Sequence, residues 1–276
     1  LDTRAHVAGG ARVGANGFLG ALSSLADGVA LPDGECWRGV PAARVDEEVP
    51  AAPVSAEGVR PWGALPHAAA LLAARAFSSW LPLAPGLVLA LACLRPGAPG
   101  TGMLPAPFGS LPLAWAPFVL MAGYAASLPM EALVARLFGR VREGAHPLRS
   151  ATGIAIAMKE HAVETANAAI SGTLLWPMWL RLSGARIGRK CEISTVMEVV
   201  PELTEVGDEC FFADGIYLGR PLLHRGHAVC ARTTLSRNTF FGNHAVIPAG
   251  ASLPPGILLG ICTVADPARV TEGTSW

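Results

Sequence analysis

The sequence has 276 residues, of which 51% are hydrophobic and 15% charged, and its 21 basic side chains balance 21 acidic ones. It contains no basic patch, no nucleic-acid-binding motif and no glycine-rich phosphate loop, so nucleic acid is excluded as a partner. The apolar composition indicates membrane association. The six cysteines form no Cys-x-x-Cys pair and no disulfide framework, which favours a reducing compartment.

The chain begins with apolar residues at every sixth position. A helix would space them by three and four and a half-buried strand by two, whereas a period of six is typical of a parallel β-helix. The pattern predicts the end of a first β-helix in residues 1–48, which resembles the known left-handed β-helices, followed by a linker, 49–66. About two coils are too few for stability, so we expect earlier coils upstream in a longer polypeptide, or docking on a second β-helical piece. The core positions are Val7, Val13, Leu19, Leu25, Leu31 and Trp37.

Two uncharged runs follow, 19 residues between Arg75 and Arg95 and 35 between Arg95 and Glu131. Each is long enough to cross a bilayer. They predict an α-helical transmembrane hairpin with its cytoplasmic flank in residues 67–149, with a buried soluble helical hairpin as the alternative. Arginines are concentrated outside the hairpin and nearly absent from its loop. This places both flanks in the cytoplasm and predicts a multi-pass protein of the cytoplasmic membrane.

Residues 150–182 predict an amphipathic helix. Its uncharged part is too short for a membrane span, so we expect an interfacial helix with Trp176 and Trp179 at headgroup level. Plain packing of the helix against the protein is the alternative. The polar face holds Glu160, Glu164, Asn167 and Ser171, and the apolar face holds Ile156, Val163 and Ile170.

The sixfold period returns in residues 183–276 and predicts a second left-handed β-helix of about four coils. The whole chain is therefore expected to be a β-solenoid in two pieces, separated by the transmembrane hairpin. The clearest run of core positions is Val229, Leu235, Phe241, Ile247, Leu253 and Leu259, and earlier runs are Ile187, Ile193, Val199 and Val206, Phe212, Leu218.

Several segments resemble one family. "LFGRVREGAHPLRS" (137–150), "ISGTLLWPMWLRLSGARIGRKCEI" (170–193) and "LTEVGDECFFADGIYLG" (203–219) are similar to the C-terminal membrane region of nonribosomal-peptide-synthetase-like enzymes of the poly-amino-acid synthetase type. "WRGVPAARV" (37–45) looks like the segment that closes many acyltransferase β-helices. The resemblance also places the repeats in the left-handed β-helix acyltransferase superfamily.

The resemblance implies partners and chemistry. Adenylation and carrier domains of the same polypeptide would precede this chain, the membrane would hold it, and a homo-oligomer is compatible with it. No cofactor is expected to bind tightly. The acyl donor would be a phosphopantetheine thioester on a carrier protein or coenzyme A, and the chain would transfer its aminoacyl or acyl group to an amine. A non-catalytic membrane-anchored β-helical scaffold that positions the upstream domains is the alternative.

Acyltransferases of this kind use a histidine as general base. "RPLLHRGHA" (220–228) interrupts the period, and such loops often carry function, which makes His224 the first candidate. A solvated corner histidine without any function remains the alternative, as does a zinc site of three histidines. Many relatives have a Thr-His pair where this chain has Gly219-Arg220. The catalytic candidates are His224, His227, His244 and Asp214, the last to orient a histidine; the substrate-binding candidates are Arg225, for the pantetheine phosphate, Arg220 and Asn243.

Overall fold

The computed structural model describes residues 1–47, 59–92 and 116–276. Residues 1–47 form the first stack, in which the first three strands pair in parallel with the strands three hexads further along, as Val7 does with Leu25, and the last strand turns back antiparallel on the sixth. Leu19, Leu25 and Leu31 are fully buried, whereas Val13 on an edge strand is 38% exposed. The strands are β1 (His6–Val7), β2 (Arg12–Val13), β3 (Phe18–Leu19), β4 (Ser24–Leu25), β5 (Ala30–Leu31), β6 (Cys36–Arg38) and β7 (Ala43–Val45).

Three helical segments follow, α1 (Ala64–Trp80), α2 (Ala84–Ala92) and α3 (Ala116–Leu137), with a short 3-10 turn between the first two. Because α1 begins at Ala64, the last residues of the predicted linker are helical. Continuous helical structure over Ala64–Val88 is long and apolar enough to cross a membrane, and only 6% of its most apolar window is buried in the protein. Within the described ranges this is the one segment that meets that test.

Helices α2 and α3 touch at two glycines. A Cβ atom placed on Gly123 would lie 2.8 Å from the Cα atom of Gly86, so a side chain there would push the helices apart. Small residues at such crossings are typical of helix pairs in membranes. The predicted loop of the hairpin falls in 93–115, outside the described residues, and the two-pass hairpin stays a prediction.

The predicted interfacial helix is two helices, α4 (Ala151–Ile170) and α5 (Leu175–Ser183). The Ser150 hydroxyl caps α4 by accepting a hydrogen bond from the Gly153 amide. Trp176 and Trp179 are 0% and 4% exposed, and the Trp179 indole donates to the Leu128 carbonyl of α3 at 2.8 Å. The expected position of both tryptophans at a membrane surface is therefore wrong, because they pack inside the protein.

Residues 186–276 form the second stack, whose strands alternate among three parallel sheets. Phe241 pairs with Leu259, and Leu235 with Leu253, again three hexads apart. The first sheet contains β9 (Arg186–Ile187), β12 (Thr204–Val206), β17 (Thr233–Leu235) and β20 (Ser252–Leu253); the second β10 (Glu192–Ile193), β13 (Phe211–Phe212), β18 (Phe240–Phe241) and β21 (Leu258–Leu259); the third β11 (Val196–Met197), β14 (Ile216–Arg220) and β19 (Val246–Pro248).

The sixfold positions form the core of the second stack, with one exception. The side chains from Leu235 to Leu259 at this spacing are at most 2% exposed, and the Phe241 ring lies 4.8 Å from that of Phe212. Val229 is only partly buried, because it belongs to an antiparallel hairpin and not to the stack. The predicted core position at Val229 is therefore wrong, and the regular run begins at Leu235.

Candidate functional site

An antiparallel hairpin interrupts the second stack between its third and first sheets. It consists of β15 (Leu222–His224) and β16 (His227–Cys230), and the remaining strand, β8 (Gly144–Pro147), pairs with its outer edge. The His-Pro element before α4 and the break in the repeat therefore form one small sheet. We call β15, β16 and their turn the inserted hairpin.

A cavity of about 770 Å³ lies between the two stacks, next to the inserted hairpin. One wall comes from the first stack and includes Phe18 and Cys36, and the other comes from the third sheet of the second stack and includes Ile247. The volume is in the usual range for a small-molecule site. Charged side chains enter this inter-stack cavity from both sides, namely Asp2, Arg38, Glu47, Arg220 and Asp266.

His224 follows Leu222 by two residues on the inserted hairpin, so the two share one face of the strand. Leu222 lines the cavity, whereas His224 lies just beyond its lining. Its Nε2 atom is buried and has no hydrogen-bond partner within the described residues. His227, opposite it in the hairpin, has its Nδ1 atom 3.1 Å from the Arg225 carbonyl oxygen. Of the two, His224 is the one with a buried ring nitrogen that lacks a hydrogen-bond partner.

Two arginines connect this region to the first stack. Arg220 forms an ion pair with Glu198 and donates to the Thr3 hydroxyl at 3.0 Å. Arg225, at the tip of the hairpin, donates to the Asn16 side-chain oxygen at 2.8 Å. Arg220 thus lines the cavity, whereas Arg225 is not part of its lining, and both arginines hold the two stacks together.

Asp214, Asn243 and His244 lie at a different corner, between the second and third sheets. The Ser194 hydroxyl donates to the Asp214 carboxylate, and the Asp214 amide donates to the Asn243 side-chain oxygen at 3.0 Å. The predicted role of Asp214 in orienting His224 is wrong, because its contacts join neighbouring coils at this corner.

His244 packs against Gly215 at the same corner. It does not meet the two histidines of the inserted hairpin, so the three do not converge on one point. In the described part of the chain no group of three or more potential ligands is arranged around a metal position.

A glutamate on α4 was not among the candidates from sequence. The pKa of Glu160 is raised to about 7, first by burial and then by the nearby Glu198, while the Arg220 guanidinium opposes both. Perturbed carboxyl groups of this kind are common at functional sites. The spacing of Glu160 and Glu164 placed both on one helix face, but only the fold brings that face to Glu198 and Arg220.

Three cysteines of the second stack are buried, among them Cys210, whose thiol has its pKa lowered by a hydrogen bond with Cys191. Cys191 and Cys230 are buried, as predicted from their positions in or beside the repeat. Burial also raises the pKa of the Cys230 thiol to about 12, so the unreactive protonated form prevails at neutral pH. Cys93 lies outside the described residues.

One of the comparisons with known proteins gives a related protein. A scan against protein-family models found no match, and no solved structure matches the chain. Among curated proteins, Delta-poly-L-ornithine synthetase of Acinetobacter baumannii (strain AB307-0294) is 34% identical over 105 residues. The matched region is 38% of this chain but only 8% of that synthetase. The chain is therefore related to poly-amino-acid synthetase-like proteins, in agreement with the resemblance.

Proposed function

We propose that this chain transfers an aminoacyl or acyl group from a phosphopantetheine thioester to an amine, within a poly-amino-acid synthetase-like enzyme. The observation that carries the proposal is the inter-stack cavity lined by Leu222 of the inserted hairpin, with the buried, unpartnered Nε2 atom of His224 two residues further along the same strand. The relation to a poly-ornithine synthetase supports peptide-bond formation as the reaction. Upstream adenylation and carrier domains would supply the thioester, and no tightly bound cofactor takes part.

The architecture proposed for this function is a left-handed β-helix in each stack. Parallel pairing at three hexads and rotation of the strands among three sheets support it. The apolar stretch Ala64–Val88 supports attachment to the membrane, with the transmembrane hairpin as the proposed form of that attachment.

The proposed reaction uses His224 as a general base. It takes a proton from the attacking amine while the nitrogen bonds to the thioester carbonyl carbon. The C–S bond breaks, and His224 returns the proton to the departing pantetheine sulfur, which leaves as a thiol. Arg220 and Arg225 lie on the same side of the stack, where a guanidinium can pair with the pantetheine phosphate.

The test replaces His224 by Gln in the full-length enzyme and measures product formation after confirming adenylation and carrier loading. Loss of a general base lowers the rate by about 10²- to 10⁴-fold. His227→Gln is the matched control, since it removes the other histidine of the hairpin, whose Nδ1 atom already faces the Arg225 carbonyl. Normal product formation by the His224 variant would refute the role, as would an equal loss in both variants.

One observation favours the alternative, a non-catalytic scaffold. Arg220 stands where many relatives have Thr-His, and its guanidinium is occupied by Glu198 and Thr3. In that function the contacts across the cavity fix the two stacks as a platform for upstream domains. The scaffold predicts that Arg220→Gln reduces product formation in proportion to the loss of folded protein, whereas His224→Gln has no effect.

A further inference from the structure

A second, smaller cavity lies away from the inserted hairpin, where α3, α4 and α5 meet. Its volume is about 250 Å³, and we call it the basic pocket. Its charged lining consists of Arg136 and Arg140 from the end of α3 and the segment after it, Lys159 from α4, and Glu202. Positive charge is therefore in excess.

Lys159 is the buried centre of the basic pocket. Its side chain is 2% exposed, and its Nζ atom lies 3.2 Å from the Glu202 carboxylate and donates to the Ala135 carbonyl at 3.1 Å. The same Glu202 oxygen accepts a hydrogen bond from the Val141 amide at 2.7 Å. Because an ammonium group has three donors, one remains for a ligand. A buried ion pair is a poor source of stability by itself, which favours a binding role.

The two arginines leave further donors open. Arg136 uses one Nη atom to donate to the Leu182 carbonyl at 3.2 Å. Arg140 is exposed and, among the residues that the structure describes, has no hydrogen-bond or ion-pair partner. Two guanidinium groups beside a buried ammonium match the oxygens of a phosphate group, which accept several charge-assisted hydrogen bonds at once.

We propose that the basic pocket binds a phosphate group, held by Arg136, Arg140 and the free donor of Lys159. The pocket is large enough for the phosphate and part of the group to which it is esterified. Its position favours a phospholipid headgroup as the source: α3 exposes Met121, Tyr124 and Leu137 and leads directly into the pocket. This choice of source rests on the proposed membrane hairpin, because basic pockets at the cytoplasmic end of membrane helices bind anionic headgroups.

The test compares Arg140→Gln with Arg142→Gln in the purified protein. Arg142 is equally exposed and only two residues away, but it does not line the pocket. Retention of phosphatidylglycerol against phosphatidylcholine is measured by native mass spectrometry. Thermal stability is measured with and without inorganic phosphate. Since Arg140 makes no contact to lose, its variant should fold with an unchanged melting temperature in phosphate-free buffer.

Loss of a charge-assisted hydrogen bond weakens binding by about tenfold or more. We expect the parent protein and the Arg142 variant to retain phosphatidylglycerol and the Arg140 variant to lose it, which identifies a lipid headgroup. Stabilisation by inorganic phosphate in the same two proteins, without lipid retention, supports the site with a soluble phosphate compound as ligand. Equal behaviour of the two variants in both measurements would overturn the proposal.

Discussion

Phe240 and Phe241 are neighbours in one strand but have opposite environments. Phe241 is fully buried against Phe212, whereas Phe240 is 40% exposed and stacks on Phe211 at the surface. Phe241→Ala should lower the free energy of unfolding by about 3–5 kcal/mol, the usual cost of a buried aromatic cavity. Phe240→Ala, the control, should cost about 1 kcal/mol, since it loses mainly one stacking contact. Denaturant unfolding measures both, and equal losses would contradict the assignment of Phe241 to the core.

Gly215 offers a second test at the scale of single residues. Its φ angle is +69°, and an added Cβ atom would collide with the His244 ring; Gly28 has the same φ, but nothing lies within 4 Å of the added atom. Gly28→Ala should cost about 1–2 kcal/mol for the left-handed backbone alone. Gly215→Ala should cost more because of the collision. Combining it with His244→Ala should recover the excess, and a double-mutant cycle in denaturant measures this coupling.

Most core residues could be predicted from the sequence, because a period of six is visible in the spacing of apolar residues alone. Val229 shows where this fails. Val229 lies six residues before Leu235 and so continues the sixfold spacing, yet at this point the chain has left the stack and forms the inserted hairpin. The predicted contact of Asp214 with His224 is a second failure. The sixfold period gives the position of a residue within its hexad, but not the corner of the stack at which that residue lies. His224 could be singled out because it lies within the interruption.

At the scale of elements, α4 carries a pH prediction. Burial raises the pKa of Glu160 from 4.5 to about 7 in the folded protein. Between these pH values the folded state holds a proton that the unfolded state releases, so the free energy of unfolding should fall as pH rises from about 4.5 to about 7 and level off above. At about 1.4 kcal/mol per pKa unit, the decrease is up to about 3 kcal/mol.

Glu160→Gln should remove this decrease and make the protein more stable at pH 8. Glu164→Gln, an exposed position on the same helix face, is the matched control and should change stability by less than about 0.5 kcal/mol. Denaturant unfolding of the three proteins at pH 5 and pH 8 gives the comparison. A parent protein whose stability does not fall between these pH values would contradict the raised pKa.

The helices also show why an apolar face is ambiguous in a sequence. Ile156, Val163 and Ile170 form the predicted apolar face of α4 and are all buried in the protein. The same spacing would suit a helix at a membrane surface, because lipid and a protein core are both apolar. Trp176 and Trp179 were assigned wrongly for this reason, as only the packing of α5 on α3 decides between the two environments.

At the scale of the whole molecule, the two stacks face each other across the inter-stack cavity. The sequence predicts both repeats, and docking of one β-helical piece on the other is one way to complete the short first stack. It could not predict which faces meet, since periodicity within a segment carries no information on contacts between distant segments. The contacts of Arg220 with Thr3 and of Arg225 with Asn16 join parts of the chain that lie about 200 residues apart in sequence.

The last prediction concerns the position of the molecule in a membrane. Ala64–Val88 has the length and composition of a span, and arginines flank the proposed hairpin on its outer sides. Because loops rich in arginine and lysine stay on the cytoplasmic side of a membrane, these flanks should remain in the cytoplasm. Single cysteines are introduced at Gly100, outside the described residues, and at the exposed Arg44 and Arg237, in a background with Cys93 and Cys262 replaced by serine. An impermeant thiol reagent added to intact cells should label position 100 alone, and permeabilised cells should show all three. Labelling of positions 44 and 237 in intact cells would reverse the orientation, and protection of position 100 would rule out the crossing.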